Sequence, residues 1–134
     1  MVIGTYSDVL EEIRAYLAQE SPSFNLNGES VYLNHPLNGI APPSPYVCLF
    51  GLPDVSEATP DIAGVEPLEI TVFVSGLPDQ NLTTAVGNTM KLASEVRRSL
   101  RTGFELINCS RINAEIITSD TCLLSFTFTT MMEA

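Results

Sequence analysis

Few residues in this chain are of types that do chemistry, and their spacing keeps them apart. The single histidine, His35, stands beside Pro36 with no cysteine or serine motif around it, so general acid or base catalysis has no partner set. Cys48, Cys109 and Cys122 each lie in an apolar, strand-like run. Without a CxxC pair and with His35 isolated they do not make a metal site, and an odd number cannot pair completely. They read as reduced, buried small hydrophobes. Glu11 and Glu12 are adjacent on a helical pattern and so point apart, as a solvated face does and a catalytic carboxylate pair does not. Gly76-Leu77-Pro78-Asp79 lacks the glycine spacing of a phosphate loop, and GxxxxGK(S/T), GxSxG and HExxH are absent. Arg97, Arg98 and Arg101 crowd the end of a helical pattern. Cations there can grip phosphate, but they also answer the negative end of the helix dipole, and the structural role is the one taken. The sequence therefore predicts no enzyme, no metal and no cofactor.

The elements that would position any site follow from periodicity. Thr5-Tyr6-Ser7-Asp8 fits an N-terminal cap, and Val9, Leu10, Ile13 and Leu17 recur at helical spacing, giving a helix from about Thr5 to Glu20 that Ser21-Pro22 stops. A short extended piece at Val31 to Leu33 precedes an irregular stretch, Asn34 to Pro45, with four prolines. Tyr46 to Phe50 is a compact apolar strand. Gly51 to Pro67 is then a long connection with four acids and no basic residue. A loop of that length in a small domain is uncommon unless functional or disordered. Leu68, Ile70, Val72 and Val74 alternate with Glu69, Thr71, Phe73 and Ser75, so the two strands can pair as an antiparallel hairpin with a projecting arm. Leu82, Val86, Met90, Ala93, Val96 and Leu100 lie on one stripe of a second helix, about Asn81 to Thr102. Phe104 to Asn108 and Ile112 to Ile117 read as shorter strands, with Ser119-Asp120 a turn into the last one. The order predicts one α+β domain over residues 1–134: a two-layer sandwich, its mainly antiparallel sheet carrying two helices on one face.

The last strand, Thr121 to Met132, alternates Cys122, Leu124, Phe126 and Phe128 with Thr121, Ser125, Thr127 and Thr129. A long strand of this kind at a sheet edge offers unpaired backbone groups that join another chain unless charge blunts them, and Met131 and Met132 do not. Composition agrees: hydrophobic residues make up 45% of the 134 and charged ones only 16%, too little ionic surface for an ordinary monomer. Sixteen acids against six bases give a net charge of -10, which disfavours direct nucleic-acid and anionic-membrane binding. No run approaches the ~18 apolar residues of a membrane helix, and no signal peptide precedes the sequons at Asn81 and Asn108, so the expectation is a soluble chain made in the cytoplasm.

In element order the chain resembles the tail terminator, or tail completion, proteins of tailed bacteriophages and related contractile injection systems. The resemblance is carried by an opening helix (Tyr6 to Leu17), a Pro-rich lead into Pro45-Tyr46-Val47-Cys48-Leu49-Phe50, and the strand Leu68 to Val74. A helix ending Glu95-Val96-Arg97-Arg98-Ser99-Leu100 and a C-terminal strand group complete it. It implies a structural virion protein of the tail neck, six subunits forming a ring on the tail tube protein. Such a ring ends tube polymerisation, meets the head connector or neck protein, touches the sheath where the tail is contractile, and leaves a channel through which DNA passes only as cargo. Against that background the acids Asp54, Glu57, Asp61 and Glu66 are candidate partner or lumen contacts, and Thr127, Thr129 and Met131 candidate subunit contacts. An acidic channel repels DNA instead of holding it. The alternative from another class is an acidic intracellular inhibitor, an immunity protein or DNA mimic, binding one basic partner through its charged face.

Overall fold

The computed structural model describes residues 4–34, 42–53, 65–104, 109–118 and 120–133. Helix α1 (Tyr6–Glu20) buries Val9, Leu10, Ile13 and Leu17. At its start Thr5 is the cap residue, but its hydroxyl donates to the Asp8 carboxylate at 2.7 Å and accepts from no backbone amide of the first turn. Two 3-10 turns follow, Ser21–Phe24 and Gly28–Ser30; Asn25 ends the first at φ 56, in the left-handed region that asparagine tolerates. Helix α2 (Leu82–Gly103) is capped by Asn81, whose side-chain oxygen accepts from the Thr84 amide at 3.2 Å. The sequon at Asn81 is thus the head of a helix.

Five strands complete the domain: β1 (Val31–Leu33), β2 (Tyr46–Pro53), β3 (Val65–Ser75), β4 (Asn113–Ile117) and β5 (Cys122–Glu133). They form one sheet in the order β1-β2-β3-β5-β4, with β1 parallel to β2 and the other neighbours antiparallel. The buried stripes of both helices join the same cluster as Val47, Leu49, Ile70, Val72, Phe126 and Phe128, so both helices lie on one face of the sheet. This is the α+β two-layer sandwich that the pattern predicts.

Three expectations change in detail. The last strand is an edge over only part of its length: β5 pairs with β3 from Val74↔Leu124 through Val65↔Glu133, and β4 covers its other side only from Cys122 to Ser125. Periodicity reports which face of a strand is buried, but not which neighbours it takes. The connection read as Gly51 to Pro67 is shorter, because Gly51 to Pro53 continue β2 opposite Ile70 to Leu68 and Val65 to Pro67 belong to β3. Its remainder, 54–64, lies outside the described residues. Phe104 is no strand residue. Its amide donates to the Leu100 carbonyl at 2.8 Å, closing α2, and residues 105–108 lie outside the described set.

Two close approaches fasten the helices. Gly76, just past β3, donates its amide to Thr89 Oγ1 at 3.1 Å, and a Cβ there would sit 2.7 Å from the Thr89 backbone; only glycine lets strand and helix meet. Tyr16 donates its hydroxyl to the Ser99 carbonyl at 2.9 Å and stands edge-on to Phe104 at 5.0 Å, pinning α1 to the end of α2. Phe126 and Phe128, at 0% and 1% exposure, fill the space between layers. Each contributes roughly 1.5–3 kcal/mol by burial.

Candidate functional site

Among the described residues no group of three His, Cys, Asp or Glu side chains gathers to hold a metal ion. His35, Asp54, Glu57 and Asp61 lie outside the described residues. Glu66 is described and exposed, but on β3 opposite Met132, where the sequence placed it in a loop. Cys48 and Cys122 are buried and Cys109 half-buried, all as free thiols. Arg97, Arg98 and Arg101 lie on α2, with Arg101 alone in its last turn. Among the described residues the single ion pair is Arg14 with Glu11, which holds the Glu11 carboxyl below its usual range through the side-chain hydrogen bond from Arg14. A cleft of about 350 Å³ between the helices is lined by Tyr16, Glu20, Glu95 and Arg98 among others. Ser23, Ser99 and Thr102 also line it, and the Ser23 and Thr102 hydroxyls donate to the Glu20 and Arg98 carbonyls at 2.7 and 3.0 Å.

What the fold does assemble is surface. The sheet has a second face, pointing away from the helices, and it is apolar in part. Tyr46, Cys48 and Leu123 are buried there, with Tyr32, Phe50 and Phe73 half-buried around them. Phe50 and Phe73 pack edge to face at 5.5 Å, and Tyr32 and Tyr46 do so at 6.4 Å. Cys48 faces Tyr32 on one side and Phe73 on the other across the ladders. Burial raises the Tyr46 hydroxyl above its ordinary pKa, and the neighbouring Cys48 thiol adds to the shift. No helix and no second sheet covers this face among the described residues. A two-layer domain normally leaves such a face polar. Here the aromatic quarter lies over β1 to β3, and the lower rows carry Leu52, 62% exposed, with Glu69 and Thr129.

Thr127, Thr129 and Met131 are half-buried on that same face. Their backbone groups point away from β3, as the alternation of an antiparallel ladder requires once Thr127 is fixed. Thr127 is satisfied within the chain: its amide donates to Ser110 Oγ at 2.9 Å, and its carbonyl accepts from the Ser110 amide at 2.8 Å. Further along, Glu133 donates to the Gly4 carbonyl at 2.7 Å. Between these clasps Thr129 and Met131 meet no described strand.

The strand that forms the edge is β4, and all five of its residues are exposed. Ile116 and Ile117 are 45% and 40% exposed. A bulge between Ala114 and Ile116 shifts the register, and the Glu115 carboxylate accepts from Ser125 Oγ at 2.7 Å. Sequence reading misses this surface because it scores burial along one strand at a time. The available signal was the unbroken run Tyr46-Val47-Cys48-Leu49-Phe50, apolar on both faces, since a strand of that kind needs cover twice. No protein-family model matches this chain, and no curated protein matches it either.

Proposed function

We propose that this chain is a non-enzymatic structural subunit that closes into a ring, the role implied by its resemblance to phage tail terminators: six copies on a tail tube, ending its growth and meeting the head connector. The observation that carries this reading is the second face of the sheet, where an aromatic cluster has no covering helix or sheet among the described residues and lies on the same sheet as an exposed edge strand. A chain of this kind buries that surface against copies of itself or against the tube. The net charge of -10 supports a channel that DNA passes without sticking, and the scattered chemical residues supply no competing active site.

The test is assembly. The purified chain, alone and added to tubes of the tube protein encoded beside it, is weighed by light scattering and imaged in negative stain. Rings of about six times the 14.5 kDa subunit mass are expected on the tubes. A chain that stays monomeric both free and in the presence of tubes overturns the reading. A salt-sensitive one-to-one complex with a basic protein, without rings, replaces it with the acidic inhibitor.

A further inference from the structure

We propose that β4 is the edge through which the sheet continues from one copy into the next, pairing antiparallel with β1 of a second copy. The inference rests on the ring reading and specifies its interface. It starts from the ladder: Asn113 faces Ser125 and Ile116 faces Leu123, residues whose backbone groups point toward β4, so Ala114 and Ile117 turn their amides and carbonyls outward. The bulge brings those two residues opposite Leu124 and Cys122, which are two positions apart. Two positions is also the spacing of Val31 and Leu33, which by the β1 register and the Asn34 amide bond to Leu49 face away from β2. The Val31 amide is used by the preceding 3-10 turn, leaving its carbonyl and both groups of Leu33, which meet no other strand among the described residues, for an outside strand.

Three further observations select a second copy. The directions fit, because following the sheet from β1 to β4 leaves these two strands antiparallel, so a neighbour related by rotation about a ring axis brings its β1 alongside β4 without inversion. The charges fit: copies of a chain with net charge -10 repel one another, and these two edges are the low-charge ones, Val31-Tyr32-Leu33 having no charge and Asn113–Ile117 only Glu115, which is held back over its own sheet by Ser125. The usual guards of an edge, lysine and proline, are missing from β4. A single repeated contact then satisfies both ends of the sheet, whereas a foreign strand on β4 would leave β1 open.

The experiment uses the full chain under the conditions in which wild type forms rings. Ile117→Lys and Ala114→Lys each place a gatekeeper charge on the edge while leaving in place Asn113 and Ile116, whose backbone groups face β5. Circular dichroism and melting temperature confirm that each variant is folded. Both variants are expected to lose rings, with the self-association constant weakened at least tenfold, and in wild-type rings the amides of Ala114 and Ile117 are expected to exchange at least tenfold more slowly than in monomer. Folded variants that ring like wild type, or amides equally open in both states, overturn the β4 edge while leaving the ring reading standing. Two-fold dimers in place of rings overturn the pairing with β1. A wild-type chain that never rings overturns both.

Discussion

Thr89 is a buried hydroxyl, 0% exposed, that holds the helix layer to the sheet, and replacing it with valine tests how. Its Oγ1 accepts from the Gly76 amide at 3.1 Å and donates to the Ala85 carbonyl at 3.0 Å. The Ala85 carbonyl loses little, since it also accepts in the helical ladder. The Gly76 amide loses its partner in a buried place, which costs about 1–3 kcal/mol. Valine keeps the shape, so no cavity adds to this. Taking about 2 kcal/mol, and ~2.1 cal/mol/K of unfolding entropy per residue over 134 residues, Thr89→Val lowers the melting temperature by about 7 °C. Thr89→Ser keeps the hydroxyl and gives up a methyl, about 1 kcal/mol. Thermal and urea unfolding measure the loss, and hydrogen exchange of the Gly76 amide assigns it: faster in the valine variant, protected in the serine variant. A valine variant as stable as wild type, with Gly76 still protected, refutes the account.

Gly103→Ala puts a Cβ 2.3 Å from the Tyr16 ring, which cannot swing aside without giving up the Ser99 carbonyl; unfolding should show a net loss of about 1–2 kcal/mol although alanine favours helix by ~1 kcal/mol. Phe73→Ser removes the edge-to-face partner of Phe50 on the outer face and should abolish rings for about 0.5–1.5 kcal/mol of pair energy beyond its area, with the monomer still folded; Phe126→Ala in the core should cost about 3–5 kcal/mol. Urea titration separates the two, and equal costs would mean the outer cluster is core. Tyr46 gives the pH dependence. Its folded pKa is raised, so its contribution is fully present below the unfolded value of about 10 and is lost as pH climbs through the folded value. Tyrosinate absorbance should show a late-titrating component that Tyr46→Phe removes together with its share of the alkaline loss of stability; an absorbance titration whose late part is unchanged in the variant refutes it.

Much of the fold was legible because its signals are local. The α1 stripe from Val9 to Leu17 and the alternation from Leu68 to Val74 each report a burial pattern within one element, and α1, α2 and β3 stand within a residue or two of their expected bounds, β3 reaching three further back. Strand neighbours are not local. Nothing within Thr121 to Met132 says that β3, some fifty residues earlier, lies on one side and β4 on the other, so a strand that is interior at its start looked like an edge throughout. Likewise Asn113 to Ile117 reads as a modest strand, and only the sheet order exposes it. Ser75, Thr89 and Ser125 look like surface residues by type, yet all are buried, because each has a partner that the chain brings from elsewhere: Ser44, Gly76 and Glu115. The candidate contacts Thr127, Thr129 and Met131 fall on one face, but Thr127 is already taken by Ser110.

The interior place of β5 has a consequence for how the molecule is made. The last of the described strands is not added to the side of a finished sheet; it lies between β3, with which it makes its longest ladder, and the edge strand β4 hung from the start of its other side. Until it leaves the ribosome, β3 lacks its longest partner, β4 has nothing to pair with, and Phe126 and Phe128 have not reached the helices. Synthesis from the N-terminus can therefore build the β1-β2-β3 half with α1 and α2 loosely held, and the sheet closes only once β5 is made. The β4 edge, which is laddered only to β5 among the described residues, takes shape at that same step.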